Sequence, residues 1–204
     1  MKHESMKLTS SYNNQLYIKV MNGHFATNHS HINQYIDMTT LKVRGTMAAA
    51  AAKSMGTEYM ASTIVDTIVC MDGTEVIGAY LAEELTKAGV LSMNAHHTIY
   101  VITPEFNSTG QIIFRDNYEP MINGKNILIL NGSITTGSTL NRAIESVLYY
   151  GGKIRGVAAI YSSVDSVASL PVHSIFQARD IPDYHSYRSD NCPLCKNRQK
   201  IDAI

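Results

Sequence analysis

The chain has no excess charge of either sign: seventeen Lys and Arg balance seventeen Asp and Glu. Without a basic surplus there is no electrostatic footprint for nonspecific nucleic-acid or polybasic membrane binding. Long apolar runs are also missing. The alanine run 48–52 is far short of the ~20 residues a membrane-spanning helix needs, and the polar stretch 1–14 lacks the apolar region of a secretory signal. Only three cysteines occur, Cys70, Cys192 and Cys195. An odd thiol is left over, which argues against a disulfide framework and for the cytoplasm. Repeats and low-complexity linkers are absent, so 204 residues read as one domain, with a core large enough to fold alone.

What is present alternates between strand and helix. Residues 39–55 read as one helix, rich in Ala and Lys, with Gly56 as a stop. TIVDTIVCM (63–71) is β-branched and apolar and ends at Asp72-Gly73, the pattern of a buried strand. Thr74 is placed to cap a helix in which Ile77, Leu81, Leu85 and Ala88 share a face, ended by Gly89. A strand at 97–102 precedes a connection of roughly twenty residues (103–124), long enough to mark a functional loop. Strand 125–130, a helix from Thr139 with Leu140, Ile144, Val147 and Leu148 on one face, strand 153–162 and strand 172–177 follow. Such alternation describes right-handed crossovers in an α/β fold with a mostly parallel central sheet flanked by helices. Ligands in such sheets sit beyond the carboxyl ends of the strands.

One strand-to-helix connection there is chemically distinctive. Residues 131–139, NGSITTGST, carry five hydroxyl side chains and two glycines between an apolar strand and a helix. Helix N-terminal amides carry partial positive charge, glycine admits close backbone approach, and hydroxyls add donors, so the segment suits a phosphate. It lacks the lysine of a Walker loop. A plain Ser/Thr-rich turn with Thr139 as helix cap is the alternative reading of the same residues.

The stretch ILILNGSITTGSTLNRAIESVLYYGGKIRGVAAI resembles the phosphoribosyl pyrophosphate (PRPP) signature of type I phosphoribosyltransferases. GHFATNHSHINQYID (23–37) is similar to the hood segment of the orotate phosphoribosyltransferase branch, and DTIVCMDGTEVIGAYLAEEL (66–85) to its pyrophosphate-loop strand and helix. This resemblance implies a hood over 1–38, an α/β core over 39–180 and a polar tail over 181–204. It implies that Asn131, Ser133, Ile134, Thr135, Thr136, Gly137, Ser138 and Thr139 hold the 5′-phosphate and ribose. Asp72, Gly73, Thr74 and Glu75 would wrap the pyrophosphate, with Mg²⁺ carried in on PRPP. Phe25 and Tyr35 would stack on a nucleobase. The implied reaction is displacement of pyrophosphate from the anomeric carbon by a base nitrogen, in a homodimer, with PRPP and a nucleobase or a nucleoside monophosphate as the partners.

The sequence departs from that pattern in ways that bear on function. Asn131 and Gly132 stand where the family has an acidic pair for the ribose hydroxyls, and neither supplies negative charge. No lysine lies between residues 88 and 124, so Arg115 is the permanent cation of the long loop and the candidate catalytic residue. His96 and His97 lie near the loop's start. By approximate alignment Ser163 replaces an arginine and Asn28 a lysine that would read orotate. A noncatalytic protein that binds PRPP or a nucleotide as a sensor is therefore the alternative function. Cys192-Pro193-Leu194-Cys195 supplies half of a zinc site, which His185 or a second subunit would have to complete; the expectation is an exposed, reduced tail and no metal. His29 and His31 read as turn or substrate-proximal residues.

Overall fold

The computed structural model describes residues 4–27, 30–87, 92–95 and 97–203. Asn28, His29, Ala88, Gly89 and His96 therefore lie outside the described residues. The chain opens with β1 (Ser5–Thr9), β2 (Tyr17–Ala26) and β3 (His31–Asp37). These strands pair antiparallel in sequence order, with an irregularity between Asn22 and Phe25.

Two helices follow where the composition suggests one: α1 (Thr39–Val43) and α2 (Gly45–Tyr59). Arg44 breaks them with extended backbone at φ −83°, ψ 111°. Gly56 is buried inside α2 instead of ending it. A Cβ there would meet Leu81 at 3.6 Å, an ordinary packing distance between α2 and the helix that follows. Helix propensity alone does not see such a tertiary break.

The core then runs β4 (Thr67–Cys70), α3 (Glu75–Thr86) and β5 (Tyr100–Ile102). The long connection holds its own hairpin, β6 (Glu105–Phe106) and β7 (Ile112–Ile113), and a 3-10 turn at Asp116–Met121. Next come β8 (Asn126–Ile134), α4 (Ser138–Tyr149), β9 (Lys153–Ser162), β10 (Ser166–Val167) and β11 (Leu170–Gln177). The sheet order is β10-β11-β9-β8-β4-β5. Every pairing within it is parallel except β10 with β11, the mostly parallel sheet the alternation predicts.

Alternate side chains of the central strands feed two cores. Leu128, Leu130, Ala158 and Ile160 pack with α2 and α3, and Ile127, Ile129, Val157 and Ala159 with α4. That two-sided burial is why β8 reads as a continuous apolar run. Leu148 alone departs from the expected α4 face and is exposed.

The segment after 180 is not a free tail. β12 (Ser186–Tyr187) adds to β3, giving a four-stranded hood sheet β1-β2-β3-β12, and α5 (Pro193–Lys196) follows. Asn33 holds the crossing: its amide donates to Asp183 O at 2.6 Å and its Oδ1 accepts from the His185 amide at 2.7 Å. Asp202 returns to β2, its amide donating to His24 O at 2.7 Å.

Candidate active site

A cleft of 710 Å³ opens between the hood and the carboxyl ends of the core strands. Its floor is the connection from β8 to α4. Gly137 sits at the cap position of α4 with φ 77°, a conformation in which a side chain is strained. A Cβ there would also lie 2.8 Å from Val167 Cγ2. No side chain caps α4 and its first turn holds no acid. The Ser138 amide makes only a long contact, 3.5 Å, to Thr136 Oγ1, so the leading amides can take an anion, with the helix dipole favouring it. Thr139 is not the cap, and the helix begins one residue earlier, at Ser138.

Ser133, Ile134, Thr135, Thr136, Gly137, Ser138 and Thr139 all line the cleft. Ser163 braces this loop: its amide donates to Ile134 O at 2.9 Å and its hydroxyl to Thr135 O at 2.8 Å. Asn131 is different. It is 1% exposed, is not among the residues lining the cleft, and its side-chain nitrogen has no hydrogen-bond partner among the described residues. A buried donor left this way costs about 1–3 kcal/mol.

The second wall is the turn after β4. Asp72 and Gly73 both have left-handed backbone, φ 56° and 73°, and Asp72 lines the cleft. Thr74 holds the cap position of α3 but makes no cap bond. Its buried hydroxyl is shared between Met71 O at 2.8 Å and Leu130 O at 3.1 Å. That hydroxyl is committed to joining this turn to β8. Glu75 accepts from Thr103 Oγ1 at 3.1 Å, which ties the turn to the start of the long connection.

Two polar groups of the cleft, Lys42 and Arg142, were not singled out by motif. Lys42, on α1, donates from Nζ to Asp72 O. A Cβ on Gly132 would lie 2.7 Å from that Nζ. Glycine at the second position of the missing acidic pair thus makes room for an ammonium. Burial lowers the Lys42 pKa below the usual lysine value, opposed by the charges of Asp72 and Glu75. Arg142, one turn into α4, also lines the cleft. No local pattern in 39–55 announces the contact of Lys42 with the Asp72 turn.

Toward the hood the lining becomes aromatic. Phe25 and Tyr35 are brought together, ring centroids 5.8 Å apart at 52°, and both face the cleft. Tyr161 and Tyr184 join them, in edge contact at 5.6 Å. Burial raises both phenol pKa values, that of Tyr184 to about 12. Tyr161 Oη is buried without a hydrogen-bond partner among the described residues. Tyr184 comes from the segment expected to be solvent-exposed.

Arg115 is not brought to the cleft. Its Nε donates to Glu105 Oε1 at 2.5 Å, and both side chains are exposed, 68% and 46%. From the same connection it is Phe106 and Gly110 that reach the cleft lining. Cys192, expected in an exposed tail, is buried at 1% exposure.

This arrangement has counterparts. The chain has the type I phosphoribosyltransferase fold: it matches Leishmania donovani UMP synthase with a TM-score of 0.57 at 17% identity, over 80% of this chain and 34% of that one. It also matches Mycobacterium tuberculosis orotate phosphoribosyltransferase solved in complex with PRPP, TM-score 0.52 at 16% identity, over 72% of this chain and 82% of that one. In sequence it is 28% identical to the orotate phosphoribosyltransferase of Wolinella succinogenes over 195 residues, 89% of this chain and 88% of the relative. No family model matches the chain. The resemblance to the orotate branch read from the three motifs holds in the sequence comparison, while the solved structures bear out the fold.

Proposed function

We propose that the chain is a phosphoribosyltransferase of the orotate type, which moves the phosphoribosyl group of Mg·PRPP to a nucleobase and releases pyrophosphate. The observation that carries this reading is the uncapped N-terminus of α4, with left-handed Gly137 and its hydroxyls opening on a cleft whose other walls are Asp72, Lys42 and an aromatic hood. The α4 end takes the 5′-phosphate. Asp72 and Gly73 wrap the pyrophosphate, and Lys42 neutralises it, which makes good the missing loop lysines. Asp72 is the cleft-facing carboxylate that fits a Mg²⁺ ion otherwise held by substrate oxygens; bound there, the ion would stabilise the charge leaving with pyrophosphate.

Catalysis of this kind is positioning and leaving-group stabilisation, so a covalent nucleophile is not needed. Phe25, Tyr35 and Tyr161 form the base end of the cleft. A homodimer is part of the proposal. A role for Arg115 in turnover requires its guanidinium to leave Glu105 and reach the cleft. Arg115→Ala tests this: turnover falling further than PRPP affinity supports the role, and unchanged turnover makes it a surface residue.

One observation favours a sensor instead: Asn131 and Gly132 provide no charge for a developing oxocarbenium ion. A pyrophosphate-release assay with Mg·PRPP across orotate, uracil and adenine decides. Release with one base names the acceptor; PRPP binding without release from any base establishes the sensor.

A further inference from the structure

We propose that His24, His31, Cys192 and Cys195 form a structural zinc site that clasps the C-terminal segment to the hood. The four ligand atoms lie within 4.8 Å of one another. His24 Nε2 is 3.0 Å from His31 Nδ1 and 3.6 Å from each of Cys192 Sγ and Cys195 Sγ, and Cys195 Sγ is 3.2 Å from His31 Nδ1. Zinc bonds of ~2.3 Å to sulfur and ~2.0 Å to nitrogen at tetrahedral angles put nitrogens about 3.3 Å apart and nitrogen and sulfur about 3.5 Å apart. The cluster has that size before any ion is considered.

A second, independent observation fixes the chemistry. The remaining ring nitrogen of His24, Nδ1, is 2.8 Å from the carbonyl oxygen of Gln199. That carbonyl only accepts, so Nδ1 carries the proton and the lone pair of Nε2 points into the cluster. Metal-bound histidines are held in this way by a backbone carbonyl behind them. His24 is wholly buried and Cys192 nearly so. Two imidazoles and two sulfurs from one chain fill a four-coordinate shell and leave no open position, so the ion is structural and not catalytic. Soft sulfur with imidazole selects zinc over Mg²⁺ or Ca²⁺.

The fold explains how these residues meet. His24 lies within the irregularity of β2 between Asn22 and Phe25, the kind of strand defect that re-aims a side chain, and His31 stands on the neighbouring β3, opposite Ala26. Cys192 opens α5 with Pro193 as its first residue, and the Cys-x-x-Cys turn wraps one side of the cluster. Phe25, next to His24, lines the substrate cleft. The metal therefore sets the position of the hood wall, but its presence does not depend on what the cleft binds.

The test begins with metal analysis of the full, untagged chain. One equivalent of zinc per chain is expected, retained in Cys70→Ser and lost in Cys195→Ser and His31→Ala. Because a ligand variant that unfolds would lose zinc trivially, wild-type protein stripped by a chelator is titrated with Co²⁺ alone. The expected result is a thiolate-to-cobalt charge-transfer band with the intense visible bands of four-coordinate cobalt, saturating at one equivalent and bleached by zinc. Folded wild-type protein that purifies without zinc and gives only the pale spectrum of six-coordinate cobalt would overturn the proposal. So would unchanged zinc in both ligand variants.

Discussion

At the scale of the residue, the account turns on side chains whose surroundings dictate their state. Lys42 is desolvated, and its pKa is lowered from 10.5. As pH rises through that lowered value it loses its charge before an ordinary lysine would. Pyrophosphate affinity is therefore expected to fall at an alkaline pH below 10.5 in the wild type. In Lys42→Arg the alkaline fall disappears, since arginine stays charged; calorimetric titration across pH checks both. Lys42→Met is expected to weaken pyrophosphate binding at neutral pH by roughly tenfold, the loss of about 1.4 kcal/mol of charge-assisted bonding. Cys70 makes a complementary case: burial first, and Glu75 second, push its thiol up to about 12. It should not react with a thiol reagent at pH 8 until the chain unfolds, because the thiolate is the reactive form. Lys42 is also where sequence reading stops short. Its neighbours announce a helix, while its partner, the Asp72 carbonyl, lies thirty residues away in the chain. Asp72, Gly137 and the hydroxyls around them were legible because their task is written in local backbone: left-handed turns and a helix start.

At the scale of the element, β8, its loop and α4 were readable from apolar run, glycine and periodicity. The partners that hold this unit were not. Val167, whose side chain abuts Gly137, belongs to the β10–β11 hairpin, a two-residue turn through Ala168 and Ser169 with φ 49° and 65°. Asn-Gly suits such a turn better. Ala168→Asn with Ser169→Gly is expected to stabilise the fold by about 1 kcal/mol, or a rise of ~2–4 °C in Tm, with substrate binding unchanged. Thermal unfolding checks it. Inside the core, Tyr59 donates from its buried hydroxyl to Val157 O at 2.8 Å, joining α2 to β9. Tyr59→Phe is expected to cost about 1 kcal/mol in denaturant unfolding. The hood strands alternate as a half-buried sheet should, yet their fourth strand is drawn from beyond residue 180. Pairing between His31 and Tyr187 spans a sequence separation that no local period encodes.

For the molecule as a whole, the hood, the parallel core and the returning C-terminal segment meet at one cleft, which unites the separate motifs. The segment read as polar tail supplies Tyr184 to the cleft and the two sulfurs beside His24. Composition counted its charges and missed its contacts, because burial against a distant strand is a property of the fold. Among the described residues no helix is long and apolar enough to cross a membrane. The central claim is that the start of α4 holds the 5′-phosphate of PRPP. Calorimetric titration of Mg·PRPP into the wild type and into Gly137→Val tests it most directly, with circular dichroism to confirm that the variant is folded. The account predicts saturable binding to the wild type at one site per chain and loss of at least a hundredfold in affinity in the variant, where Val167 and the strained backbone close the cradle. Equal affinity in the two folded proteins, or no binding to the wild type, would contradict it.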